Sequence, residues 1–181
     1  MEVYILRHGD ANPQTKKAVD DSKRSLSEAG IKEIENVSWL FVKFVIKFDR
    51  VFSSPLKRAK QTAEIIMKNQ KKSELIELNE LKPEGSIEEV CKKISKQKEE
   101  SAVLIIGHNP LLANLANYII NSPESLTSRV SLKTGGLIKI KIIATEPKLK
   151  GELEWLLSPK LIRKVSKCVI FCSACINKNP I

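Results

Sequence analysis

EVYILRHGDAN, residues 2–12, is a short β-rich apolar run that empties at once into arginine, histidine, glycine and aspartate. Val3, Tyr4, Ile5 and Leu6 follow one another with no polar residue between them, the pattern of a buried strand rather than one that alternates between core and solvent. The chain has only two histidines, and one of them stands at this strand end. A buried strand needs helices to cover it, and the rest of the chain supplies them.

A loop to about residue 26 leads into a helix with Ser27 as N-cap. Its apolar residues Ile31, Ile34, Val37, Leu40, Phe41, Phe44, Val45 and Phe48 recur at steps of three and four and are expected to form one core stripe. Residues 50–53, RVFS, read as a second strand. A helix follows with Ser54 as N-cap, Pro55 at its first position, and Leu56, Ala59, Ala63 and Ile66 on its buried face. A short strand at 75–78, the loop NELKPEGS at 79–86 and an amphipathic helix over 87–97 come next. Residues 102–106, AVLII, form another buried strand that passes through GHNP into a helix over 111–120. Strands at 136–144 and 152–157 complete the pattern. Such alternation predicts a three-layer α/β/α sandwich with a mostly parallel central sheet.

Composition agrees with one ordinary domain over residues 1–165, followed by a cysteine-containing appendage at 166–181. A chain of 181 residues buries roughly two-thirds of its unfolded surface. With 42% hydrophobic and 29% charged residues, 7 glycines and 8 prolines, it is neither disordered nor fibrous. The formal charge of +10 suits an acidic partner, but the lysines are scattered along helix faces. No helix-turn-helix, zinc-finger or aromatic-basic pattern accompanies them, so no nucleic-acid partner is expected. No apolar run approaches the ~20 residues of a membrane span, and the first residues lack the layout of a signal peptide. A cytoplasmic monomer without a membrane partner is the expectation. Cys168, Cys172 and Cys175 have the C-x3-C-x2-C spacing of an iron–sulfur site in radical enzymes, but no histidine lies near them and the sequence ends six residues later. An apolar tail with free thiols is the simpler reading.

Chemistry concentrates at three strand-to-helix junctions: RHGD after the first strand, SSPLKR after the second and GHNP after AVLII. In an open α/β sheet the loops beyond the carboxyl ends of parallel strands converge on one crevice. Arg7, His8, Arg58 and His108 would then form a cluster of two guanidiniums and two imidazoles, with Ser53 and Ser54 beside a helix N-terminus. Such a cluster attracts phosphate, which arginine can grip with two N–H groups at once. Neutral imidazole adds a nucleophile able to attack phosphorus and form a phosphohistidine intermediate. Scattered acids give no metal-ligand pattern, and the arginines already supply the cations, so neither metal nor cofactor is expected.

The segments LRHGDAN, FSSPLKRAKQTAEII, LNELKPEG, VLIIGHNP and LKTGGLIKI, in this order, resemble the histidine phosphatase (phosphoglycerate mutase-like) superfamily. The short chain, RSLSEAG and the closing ELEWLLSP are most similar to its SixA-type phosphohistidine phosphatases. The resemblance covers about residues 1–165. It implies His8 as nucleophile, Arg7, Arg58 and His108 as the phosphate pocket, and Asn12 and Ser54 as further groups approaching phosphate. Arg24 matches a recurrent arginine of the family, but Ser25 stands where proline is usual, and Arg24 is left outside the catalytic set. The acid-phosphatase branch has aspartate directly after the second histidine; here it is Asn109. The mutase-like branch takes its general acid from mid-chain, which implies Glu80, with Glu84 a weaker candidate. Asp10 is left as a loop or rim residue.

The function implied is a phosphohistidine phosphatase acting on a histidine-phosphorylated carrier of a signalling or phosphotransfer relay, through a covalent phospho-His8 intermediate. A protonated imidazole leaves more readily than an alkoxide, so such a substrate makes less demand on an acid. The alternatives are a phosphatase of small phosphate esters such as sugar phosphates or nucleotides, and a non-catalytic phosphate-binding module.

Overall fold

The computed structural model describes residues 1–13, 20–121 and 130–176, with side chains as far as residue 167. Six strands form one sheet: β1 (Glu2–Arg7), β2 (Arg50–Ser53), β3 (Glu74–Glu77), β4 (Ala102–Gly107), β5 (Leu137–Ala144) and β6 (Lys150–Leu157), in the spatial order β3-β2-β4-β1-β5-β6. The first four in that order run parallel, and the β5–β6 hairpin is antiparallel at one edge. The helices are α1 (Glu28–Lys43), α2 (Lys57–Met67), α3 (Ile87–Ser95), α4 (Leu111–Ile120) and α5 (Pro159–Ile176), with short 3-10 turns at Asp21–Lys23 and Asn79–Leu81.

Period-two alternation sorts the strand residues into two cores. Tyr4, Leu6, Val51, Leu104 and Ile106 pack with Ile34, Val37 and Phe41 of α1, Ala63 and Ile66 of α2, and Ile162 of α5. Val3, Ile5, Phe52, Val103 and Ile105 pack on the other face with Ile94 of α3 and Leu112 and Leu115 of α4. The expected three-layer sandwich with a mostly parallel sheet is therefore present.

Several local expectations need correction. The α1 stripe stops early: the helix ends at Lys43, and Phe44 and Val45 are exposed, as is Ile31 earlier in the helix. The chain leaves α1 by a left-handed turn, Val45 having φ 55°, with Val45 N–H donating to Val42 O and Ile46 N–H to Phe41 O. Phe48 still reaches the core, edge-on to Tyr4 and Phe41 with ring centroids 5.1 and 4.9 Å away. Ser54 is not the N-cap of α2, a position taken by Leu56, because Ser54 N–H continues the sheet ladder to Ile106 O. The third strand begins one residue earlier than expected and exposes Leu75. Residue 166, where an appendage was expected to begin, lies inside α5. Ser166 is buried and donates its Oγ–H, within reach of Asn36 Oδ1 at 2.9 Å and Arg163 O at 3.0 Å. Cys168, Cys172 and Cys175 fall on the stretch of α5 whose side chains lie outside the described part. No helix among the described residues is long and apolar enough to cross a membrane.

Candidate active site

Strand order brings the three junctions together. β4 lies between β1 and β2, with Arg7 in register with Gly107 and Ser53 with Ile106. His8, His108 and Ser54, the next residues along, therefore emerge side by side. The helices after β1 and β2 cover one face and the helix after β4 covers the other, so the connecting loops part and leave a crevice between them.

Both histidines are buried, with ring centroids 4.8 Å apart. His8 Nδ1 lies 2.7 Å from the Gly9 carbonyl, which can only accept, so Nδ1 carries the proton. Arg58 Nε donates to His8 Nε2 at 3.3 Å, and a guanidinium can only donate, so Nε2 holds a lone pair. Two independent partners thus fix one neutral tautomer. Burial is the main force pushing the His8 pKa down to about 4; the Gly9 hydrogen bond opposes it, while Arg58, Arg7 and Arg24 add to it. His108 is pushed lower, to about 3, by burial and then by His8 and Arg58. At neutral pH both rings are uncharged beside two permanent cations.

Arg58 is almost wholly buried, and its fork is held from behind. Nη1 donates to Asp21 O at 2.8 Å, and Nη2 pairs with Asp21 Oδ2 at 3.0 Å. The other carboxylate oxygen of Asp21 takes Arg24 Nη1 at 2.9 Å, and Arg24 Nε donates to the Asn12 carbonyl at 2.9 Å. Burial works to raise the Asp21 pKa, but Arg24 and Arg58 outweigh it and hold the carboxyl below the usual range. On the far side of the crevice Arg7 Nη1 donates to Leu132 O at 3.0 Å, and the same carbonyl accepts Asn109 Nδ2 at 2.8 Å. Arg7 Nε, His108 Nδ1 and Asn109 Oδ1 are buried without a hydrogen-bond partner among the described residues. Buried polar atoms are nearly always paired, so three unpaired ones around a single crevice mark a place for a polar ligand.

Arg7, His8, Arg58, His108 and Ser54 are brought together as expected. Ser54 Oγ lies 2.9 Å from His108 Nε2 and accepts Leu56 N–H at 3.4 Å. Asn12 is not in the cluster: its amide donates to Ser25 Oγ and Leu26 O and ties down the loop. Glu80 sits half-buried on the 3-10 turn that follows β3, at the carboxyl end of the sheet. Its carboxylate makes no hydrogen bond or ion pair among the described residues, and Glu84 is exposed. Asp10 turns away from His8, accepting Ser27 Oγ–H at 2.7 Å on Oδ2 while its N–H donates to Glu33 Oε2 at 3.1 Å. That loop lies hard against α1, where a Cβ on Gly30 would fall 2.0 Å from Asp10 O, so only glycine permits the approach.

Sequence reasoning missed Asp21 and Leu132. The D-x-x-R spacing of Asp21 and Arg24 was a signal that could have suggested the first. The second acts through its carbonyl and leaves no trace in residue type. No group of three or more histidine, cysteine or acidic side chains that could hold a metal occurs among the described residues.

Residues 3–86 match the model of the histidine phosphatase superfamily, branch 1. The structure of the protein histidine phosphatase SixA complexed with tungstate is 28% identical, covers 88% of this chain and 98% of its own, and superposes with a TM-score of 0.76. The alpha-ribazole phosphatase from Shigella flexneri shares the fold with a TM-score of 0.69 at 18% identity, over 88% of this chain and 97% of its own. An uncharacterized protein of Picosynechococcus sp. is 27% identical over 88% of this chain and 98% of its own length. The amino-terminal part of the chain is thus similar to the histidine phosphatase superfamily. Over most of its length the chain resembles the protein histidine phosphatase SixA.

Proposed function

We propose that the protein is a phosphohistidine phosphatase that removes the phosphoryl group from a histidine of a carrier protein in a cytoplasmic signalling or phosphotransfer relay. The observation that carries the reaction type is His8, a neutral imidazole held in one tautomer with Arg58 at its Nε2 lone pair and a second imidazole beside the ring.

In the first step Arg58 turns its N–H from His8 Nε2 to a phosphoryl oxygen, and the freed lone pair on Nε2 attacks phosphorus. A P–N bond to His8 forms as the P–N bond to the substrate imidazole breaks, and that imidazole leaves neutral or protonated. In the second, water attacks phospho-His8, releasing inorganic phosphate and restoring the lone pair on Nε2. Charge on the transferring oxygens is met by Arg7, Arg58 and His108, and Arg7 Nε offers an N–H that has no other partner among the described residues. These guanidiniums supply the positive charge, so the scheme calls on no metal. Ser54 holds His108, and Glu80, half-buried on the turn after β3 at the carboxyl end of the sheet, is our candidate acid when the leaving group needs a proton.

Phosphohistidine is favoured as substrate by the likeness to SixA, which spans nearly the whole of both chains. Tungstate, bound by that protein, is a tetrahedral oxyanion like phosphate. The second reading, a phosphatase of small phosphate esters, is kept open by the alpha-ribazole phosphatase that shares the fold. Incubation with a carrier labelled on phosphohistidine, followed by alkaline denaturation, should show label passing from carrier to enzyme and then to free phosphate. A carrier that keeps its label while phosphomonoesters are hydrolysed would move the assignment to the second reading.

A further inference from the structure

The carboxyl end of the sheet carries a second feature. A groove of about 540 Å³ lies between the first turns of α1 and the start of α5, lined by Lys32, Glu33, Lys133, Lys160 and Arg163 among others. All of its elements open on the same end as the crevice. α1 begins there because it follows β1. The turn before β5 and the start of α5 lie there because Leu137 pairs with both Leu6 and Leu157.

Its connection to the site runs through the backbone. Gly135 N–H is shared between the Arg7 and His8 carbonyls at 3.1 and 3.0 Å, two residues from Lys133. Glu33 Oε2 accepts the N–H of Asp10, two residues after His8. Glu33, the groove's one acid among the described residues, is thereby turned onto the loop that carries His8. Lys32, Lys133, Lys160 and Arg163 are exposed and form no salt bridge among the described residues. The groove at the opposite end differs: Arg50, Lys72 and Lys98 share it with Asp49, Glu74, Glu99 and Glu100, and Arg50 is paired with Glu74. General basicity would load both ends alike. Here the unbalanced charge gathers beside the crevice.

We infer that the groove between α1 and α5 is the docking face for the acidic surface surrounding the phosphohistidine of a carrier protein. The inference rests on the phosphohistidine reading of the site. A phosphoryl group on a protein reaches the crevice only if the surrounding surface is also accommodated, and four cations that form no salt bridge among the described residues attract and orient an acidic one. Rim charges of this kind govern encounter more than chemistry, so their effect belongs in KM and in its salt dependence.

The test compares a histidine-phosphorylated carrier protein, acidic around its phosphohistidine, with phosphoimidazole, which is too small to touch the groove. In the variant K32E/K133E/K160E/R163E, KM for the carrier should rise at least about tenfold and lose most of its salt dependence, with phosphoimidazole turnover unchanged. The variant K72E/K98E lowers the net charge at the opposite end and should leave both substrates nearly unaffected. The quadruple variant's turnover of phosphoimidazole also reports that it has folded. If it cleaves the carrier with unaltered KM, the docking face is refuted while the phosphohistidine reading stands. If the two variants raise KM in proportion to charge alone, the groove is no more than part of a diffuse field, which also refutes it. If the wild-type protein turns over phosphoimidazole or phosphate esters but not the carrier, the phosphohistidine-protein reading itself fails, and the docking face with it.

Discussion

The carboxyl ends of β1 and β4 present the same residue in nearly the same setting and finish it differently. His8 and His108 each follow a buried apolar strand, the strands are paired neighbours, and the rings nearly touch. His8 has a partner on each nitrogen, an acceptor-only carbonyl and a donor-only guanidinium, and so has one tautomer. His108 has Ser54 on Nε2 and, among the described residues, nothing on Nδ1. The strand delivers an imidazole to the crevice, and the second partner decides what it does there: a ring fixed on both sides suits attack, and a ring with an unpaired nitrogen suits contact with a bound oxyanion.

Exchanging the two rings' fates is the most severe test of that contrast. His8→Ala should abolish turnover, by about 10⁴-fold or more, and no label should be trapped on the enzyme. His108→Ala should cost about 10²–10³-fold in kcat and still trap label, since it removes stabilisation and keeps the nucleophile. Rapid-quench labelling of the two variants separates them. Trapped label on His8→Ala would reverse the assignment.

Next in size is the support behind Arg58. Asp21→Ala removes the carboxylate that holds Arg58 and Arg24, and kcat should fall by about 10²-fold as the guanidinium shifts by an ångström or so. The same variant should leave His8 without its fixed donor. Nitrogen NMR of the imidazole should then show Nε2 losing its hydrogen-bonded shift while Nδ1 keeps its proton on the Gly9 carbonyl. Asp21→Asn keeps one acceptor oxygen but turns an N–H donor toward the other guanidinium, and should recover only a small part of the loss.

Acidification probes both rings at once. Unfolded histidine takes up a proton near pH 6.5, whereas the folded rings stay neutral down to about pH 4 and about pH 3. Below pH 6.5 the unfolded state therefore binds more protons, and stability falls as pH drops through that window. Denaturant titrations from pH 7 to pH 4 should show this decline, and the double variant His8→Asn/His108→Asn should flatten it. Because His8 remains a free base until the pH nears 4, the acid limb of kcat/KM should not fall at the ordinary histidine pKa of 6.5. The smallest effect expected is that of Ser54→Ala, which leaves His108 Nε2 unpaired and should cost about 1–3 kcal/mol of stability with only a severalfold fall in kcat.

The parallel core of the fold was legible because β1, β2 and β4 are continuous apolar runs with turn residues at their ends, and α2 to α4 keep clean helical periods. What misled was tertiary or backbone in origin. The apolar run after α1 is helical by period but is cut by a left-handed turn at Val45. Ser54 looks like a helix cap, yet its N–H belongs to the sheet. In the site, Arg7, His8, Arg58 and His108 could be read because chemistry limits which residues can grip a phosphoryl group. Asn12 was harder to read, because an amide serves a loop as readily as a ligand, and here its N–H groups go to Ser25 and Leu26. Leu132 could not be read at all, since the two side chains it holds bind its carbonyl.

The position of β4 between β1 and β2 has a consequence for the order in which the protein comes into being. His8 and Arg58 are made early, but the strands that present them are not neighbours. While a growing chain ends short of residue 102, the sheet lacks its central member, and the two halves of the crevice have no common floor. The strand that closes this gap is also the one that delivers His108. The joining of β1 to β2 and the arrival of His108 in the crevice are one event in the life of the nascent chain, so a product cut short of β4 keeps His8 and Arg58 but has no strand to hold them side by side.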